Sequence, residues 1–168
     1  DVALAKAQIE RPIADGGLGQ SVATLFARFD DKPLAAGSIA QVHTARLHDG
    51  REVVVKVVRP QIREQIMADF ELLRELAGWA TARIEAARAI HARELVEDYR
   101  QVMLSELDLT LEAANTTQMR NNFLGSSLMY VPEVYAVGKN VMVMERIEGV
   151  PVSRMQVFDA LGYDRAAL

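Results

Sequence analysis

The 168-residue chain contains no cysteine. That removes disulfides, thiolate nucleophiles and cysteine-ligated zinc together, and makes a reducing compartment the expected setting. Aromatic residues are few, at 6 %, with a single Trp. No uninterrupted apolar run approaches the roughly 18–20 residues that a membrane span needs. There is no basic excess: 19 Lys and Arg stand against 23 Asp and Glu, for a net charge of −4. Nucleic acid is therefore not an expected partner. The opening Asp1-Val2-Ala3-Leu4-Ala5-Lys6 has neither the basic start nor the apolar core of a secretory signal. It also lacks an initiator Met, so an excised piece of a longer protein is expected.

What is present is an ordinary globular balance, 50 % hydrophobic and 25 % charged, of a size for one domain with a real core. Residues 3–12 read as a helix that Ala14-Asp-Gly-Gly17 breaks. Ser21–Phe29 reads as a second short helix, and Asp30-Asp31-Lys32-Pro33 as a turn. From Ile39 to Leu47 apolar and polar positions alternate, as in a half-buried strand. His48-Asp49-Gly50 carries the Asp-Gly hairpin signal. Arg51–Arg59, rich in valine, reads as the partner strand, so residues 33–59 are expected to form an antiparallel hairpin.

After Pro60, Ile62, Ile66, Phe70, Leu73, Ala77, Ala80 and Ile84 recur at spacings of three and four, an apolar stripe on a helix of about seven turns. A second long helix is expected from about Ala92 to Asn121, with the stripe Leu95, Tyr99, Val102, Glu106, Leu109 and Ala113. A carboxylate there stands where the period calls for an apolar side chain. Strands are expected at 133–137 and 141–145, and a further helix starts near Pro151. The order of hairpin, two helices and hairpin predicts an α+β fold, a small antiparallel sheet with helices packed on it.

Four features could carry chemistry. Lys56 lies amid Val53, Val54, Val55, Val57 and Val58. Its head either points into a cleft to hold an anion or lies on the solvated face of an edge strand. The turn Leu34-Ala35-Ala36-Gly37-Ser38 is built of small residues whose backbone could approach a phosphate, or is merely tight. It is not a Walker A loop. Glu106, Asp108 and Glu112 form an acidic cluster. Asp108 and Glu112 share a helical face, and a carboxylate in the apolar stripe needs a cation such as Lys56. The alternative is a solvated acidic face. Fourth, Val141-Met-Val-Met-Glu-Arg-Ile-Glu-Gly149 looks like a strand leading into a connection between two lobes. His43, His48 and His91 have no metal-ligand spacing, and the seven Met residues read as core fillers.

The order of these pieces is that of the N-terminal lobe of a protein kinase-like fold: phosphate loop, strand lysine, helix carboxylate, then a strand entering a hinge. Lys32-Pro-Leu-Ala-Ala-Gly-Ser-Ile-Ala-Gln-Val-His43, Val53-Val-Val-Lys-Val-Val-Arg-Pro60, Glu106-Leu-Asp-Leu-Thr-Leu-Glu-Ala-Ala-Asn115 and Val141–Ser153 resemble the UbiB family of atypical kinases, the aarF-domain kinases. The resemblance covers nearly the whole chain. It implies a helical N-terminal extension at 1–30, a kinase-like N-lobe at 31–150 with a helical insertion at about 60–122, and the start of a C-lobe at 151–168.

The resemblance also implies roles. Leu34, Ala35, Ala36, Gly37, Ser38, Ile39, Ala40, Gln41 and Val42 correspond to the family's alanine-rich nucleotide loop. Alanine visits positive φ less freely than glycine, so such a loop is stiffer over the phosphates; Gly37 departs from the all-alanine pattern. Lys56 corresponds to the lysine of the α- and β-phosphates, and Glu106 and Asp108 to an E-x-D motif. Glu112 is the carboxylate that orients Lys56, with Glu106 the competing choice. Met144 is the gatekeeper, and the backbone of Glu145 and Ile147 receives adenine.

The implied cofactor is ATP or ADP with Mg²⁺, whose ligands are expected outside this sequence. So are the family's K-x-G-Q motif, catalytic loop, Asp-x-Gly motif and C-terminal membrane segments. No turnover is expected from this stretch alone. The implied setting of the parent protein is the cytoplasmic face of a bacterial inner membrane, in ubiquinone biosynthesis. Quinone-precursor lipid and other proteins of that pathway are the implied partners. A regulatory module that docks lipid or a partner through residues 61–121 is the competing expectation. A quinone-precursor hydroxylase finds no flavin or NAD fingerprint and no iron triad in the sequence.

Overall fold

The computed structural model describes residues 2–150, 154–160 and 162. The chain is α+β. Helix α1 (Val2–Glu10) and the short α2 (Val22–Leu25) precede strands β1 (Arg28–Phe29), β2 (Ala35–Ala36), β3 (Ala40–Arg46) and β4 (Glu52–Val58). Helices α3 (Ile62–Arg83), α4 (Glu85–Ala89), α5 (Ala92–Ser105) and α6 (Leu109–Asn122) follow. Strands β5 (Val134–Gly138) and β6 (Val141–Glu145), then α7 (Met155–Ala160), complete it. The antiparallel sheet runs β1-β3-β4-β6-β5, with β2 also paired to β3.

The β3–β4 hairpin closes at Gly50, where φ is +92°, a conformation that glycine adopts without strain. Both faces of the sheet are covered. Val53, Val55 and Val57 of β4 pack with Ala5 and Ile9 of α1, with Phe26, and with Val141 and Val143 of β6. On the other face, Val58 and Met142 pack with Ile66 and Phe70 of α3 and with Leu107, Leu109 and Ala113. Two-sided burial accounts for the nearly unbroken valine run of β4.

Three expectations are corrected. Ser21–Phe29 is not one helix. Ser21 caps α2, its Oγ accepting from the Thr24 amide at 3.2 Å, but α2 ends at Leu25, and Arg28 and Phe29 pair with Arg46 and Ala45 as an edge strand. Sheet pairing there overrides the helical pattern.

The helix expected over 92–121 is two helices. Asp108 is extended (φ −105°, ψ 92°), and its side chain accepts from the Thr110 amide at 3.1 Å as the N-cap of α6. Leu107 and Leu109 are 2 % and 1 % exposed. Two residues so spaced cannot both face one side of a helix, so burying both requires the break between them. Glu106 therefore lies outside the apolar stripe, exposed, and Asp108 precedes the helix face that carries Glu112.

The stripes of the helical hairpin also shift. Ile66, Phe70 and Ala77 are buried, but Leu73, Ile84, Leu95, Tyr99 and Val102 are exposed. The inner side of α5 is carried by Val96, Met103 and Leu104. The expected helix beyond Pro151 is seen at Met155–Ala160; residues 151–153, 161 and 163–168 lie outside the described residues.

Candidate functional site

Lys56 stands on β4, whose neighbours are β3 and β6, so the edge-strand reading is excluded. Val42 lies opposite it on β3 and Met142 on β6. Alternation along the strand sends Val53, Val55 and Val57 to the α1 side and Lys56 to the side of α6. Its Nζ meets Oε2 of Glu112, one turn into α6, at 2.5 Å. The side chains are 27 % and 43 % exposed, so the pair sits at the wall of an open cleft.

That cleft has a volume of about 640 Å³ and brings together Lys56, Glu106, Asp108, Glu112 and Met144. Glu106 lies at its rim; the carboxylate that Lys56 meets is that of Glu112. Asp108 Oδ2 is 3.8 Å from Lys139 Nζ. Lys56 is thus an oriented cation in a concavity of ligand size, since small-molecule pockets span roughly 300–1,000 Å³. The arrangement can fix one anionic group against Lys56 while apolar Met144 and Val131 wall the remainder.

Other predicted site residues lie outside this lining. Ala35 and Ala36 form β2, paired with Val42 and Gln41, so residues 35–42 make a tight hairpin, closed by the Gly37 amide donating to the Ala40 carbonyl at 2.9 Å. Gly37, Ser38 and Gln41 line a separate depression with Arg59 and Pro60. Ile39 packs toward the α3 core. Glu145 ends β6; its amide donates to the Glu133 carbonyl at 2.8 Å, and its Oε1 accepts from the Tyr130 hydroxyl at 2.5 Å. That hydrogen bond holds the Glu145 carboxyl below the ordinary glutamate value and pushes the Tyr130 phenol up. Ile147 is exposed beyond the strand.

The cleft also takes Leu111, Asn115, Thr116 and Met119 from α6 and Val131 and Pro132 before β5, which the sequence reading did not single out. Asn115, Thr116 and Met119 follow Glu112 at helical spacing, and that periodicity is the available signal; Leu111, directly before Glu112, carries none. Among the described residues no group of three or more His, Asp or Glu converges to hold a metal. Glu106 and Asp108 alone do not make such a set.

Over residues 2–168 the sequence matches the ABC1 atypical kinase-like domain. The chain belongs to this family. A Cellvibrio japonicus protein described as a probable protein kinase UbiB is 48 % identical over 165 residues, covering 97 % of this chain and 30 % of that protein. A Cronobacter sakazakii protein of the same description is 46 % identical over 171 residues, covering 100 % and 31 %. The chain thus spans about three tenths of the length of these curated relatives. Among solved structures, the Mycobacterium tuberculosis protein Rv3197, in a complex with erythromycin, superposes with a TM-score of 0.71 at 30 % identity, covering 92 % of this chain and 41 % of that one. The ABC1 assignment and this likeness agree with a kinase-like N-lobe carrying a helical hairpin between β4 and β5.

Proposed function

We propose that the chain is the nucleotide-binding lobe of a UbiB-type atypical kinase or ATPase that serves ubiquinone biosynthesis. The observation that carries this is the Lys56–Glu112 pair, a β-strand lysine held by a helix carboxylate inside the 640 Å³ cleft in a chain of the ABC1 family. In this reading Lys56 receives the α- and β-phosphates of ATP or ADP and Glu112 keeps its head in place. Residues 34–42 lie over the phosphates. Met144 limits the depth of the adenine pocket, and the backbone of Glu145 and Ile147 takes the base. The nucleotide supplies a transferable phosphoryl group; the residues described here bind and orient it. The Mg²⁺ ligands and the acceptor-side groups belong to the remainder of a longer protein, as does attachment to the inner membrane. No helix among the described residues is long and apolar enough to cross a membrane.

The test is a thermal-shift titration of the full-length protein with Mg-ADP and Mg-ATP. Nucleotide bound to the native state raises the melting temperature. No shift with either nucleotide at millimolar concentration would count against the reading.

One observation favours a second role for the helical hairpin. Leu72, Leu76 and Trp79 on α3 and Leu95 and Tyr99 on α5 are more than half exposed. A nucleotide-controlled module that meets quinone-precursor lipid or a protein of the same pathway would use such a surface. Flotation with quinone-loaded vesicles distinguishes it: Trp79→Ser with Leu76→Ser should abolish capture, and capture equal to the native protein's removes this reading.

A further inference from the structure

A small cavity of about 130 Å³ lies where the start of α3 meets α1 and the β5–β6 turn. It shares no lining residue with the Lys56 cleft. Four cations line it, Arg11, Arg59, Arg63 and Lys139, against one carboxylate, Glu64. Among the described residues neither Arg11 nor Arg63 has an acidic group within ion-pair distance, and Lys139 has only Asp108 at 3.8 Å. Arg59 Nε donates to the Gly37 carbonyl at 3.0 Å. Like charges repel, so the convergence of Arg11, Arg63 and Lys139 on one concavity is stabilised by an anion.

Two further observations point the same way. The first turn of α3 opens onto the cavity. Its N-cap, Gln61, is held at φ +64°, and its side chain makes no capping bond. The Ile62 amide donates to the Arg59 carbonyl at 3.3 Å, and the positive end of this 22-residue helix has no side-chain cap. From α1, Gln8 lines the same cavity while only 4 % exposed, and its Oε1 has no hydrogen-bond partner. A buried amide oxygen without a donor is costly. A hydroxyl on a bound ligand supplies that donor.

The volume is well below the roughly 300 Å³ at which pockets for drug-sized ligands begin, so a nucleotide is too large. A small oxyanion with several acceptor oxygens and an O–H fits the donors on all sides. We propose that this cavity is a second anion site, for a phosphate group that keeps an O–H, either free inorganic phosphate or the terminal phosphomonoester of a lipid headgroup as its monoanion. None of its residues lines the Lys56 cleft, although Arg59 also donates to the Gly37 carbonyl at 3.0 Å, so the variants that test it are at Arg63 and Lys139, which do not touch residues 34–42.

The test is calorimetric titration of the full-length protein with inorganic phosphate, ionic strength held constant with chloride. One phosphate per chain is expected. Arg63→Gln and Lys139→Gln should each weaken it about tenfold, and Lys56→Ala should leave it within twofold. These two side chains are exposed, so folding is retained; Arg11→Gln serves as a second variant if one fails. Gln8→Met should weaken phosphate yet not lower the melting temperature in phosphate-free buffer, since it removes the unpartnered oxygen; a purely structural Gln8 would lower it. Flotation on phosphatidylcholine vesicles with and without phosphatidic acid separates the sources. Capture that needs phosphatidic acid and Arg63 supports the headgroup, and phosphate heat without capture supports the free ion. Phosphate binding unchanged in the Arg63→Gln, Lys139→Gln double variant, loss of it in Lys56→Ala, or neither heat nor capture overturns the proposal.

Discussion

Lys56 is a cation set among valines, and its partner comes from 56 positions along the chain. With both side chains part-exposed, the pair contributes little to stability, on the order of 0–1 kcal/mol. Lys56→Ala should therefore shift the urea midpoint only slightly; a loss of several kcal/mol would mean that Lys56 is a structural residue. Glu145 gives a titration test. Its carboxyl is held below its ordinary value of 4.5, chiefly by the Tyr130 hydroxyl. A depressed folded-state value means that the contribution is present above pH 4.5 and is lost as pH falls through the folded value. Tyr130→Phe should move the NMR-detected titration of Glu145 back up toward 4.5; an unmoved titration would show that the hydroxyl is not the cause. That Lys56 stands alone as a cation among valines was legible in the sequence, but which carboxylate faces it was not. Glu106 and Glu112 both lie in the same motif, and only the break at Asp108 decides which one turns inward.

At the scale of elements, that break is the feature that places the site. A 3.6-residue period continues through 92–121 on paper, because Leu95, Tyr99, Val102, Leu109 and Ala113 keep it. Burial of both Leu107 and Leu109 wins over the period, and Asp108 stabilises the new start as its N-cap. Losing such a cap costs about 0.5–2 kcal/mol. Asp108→Ala should lower unfolding free energy by that amount, while Asp108→Ser recovers most of it. Equal losses for both would show that Asp108 acts through charge on Lys139 instead. The β3–β4 hairpin was readable from Asp49-Gly50 and the alternation of Ile39–Leu47. The two-residue strand β1 was not, because its pairing with β3 is a tertiary choice that local pattern does not encode.

For the whole molecule, one sheet serves two cores, α1 on one face and helices α3, α5 and α6 on the other. The α+β class was legible from the order of patterns, but the second face was not. Nothing in Ala3–Ile9 says that it covers the valines of β4. A shared sheet predicts shared unfolding. Ile9→Ala, from the first core, and Phe70→Ala, from the second, should each cost about 2–5 kcal/mol in one common transition. Two separated transitions would show that the helical hairpin folds independently.

The central claim is that Lys56, held by Glu112, receives nucleotide phosphate. It is tested most directly by titrating Mg-ADP into the native full-length protein and its Lys56→Ala variant in the calorimeter, with both shown to be folded. One site is expected in the native protein, with affinity at least about tenfold weaker in the variant, a difference near 1.4 kcal/mol. Equal affinity in the two proteins would contradict the account.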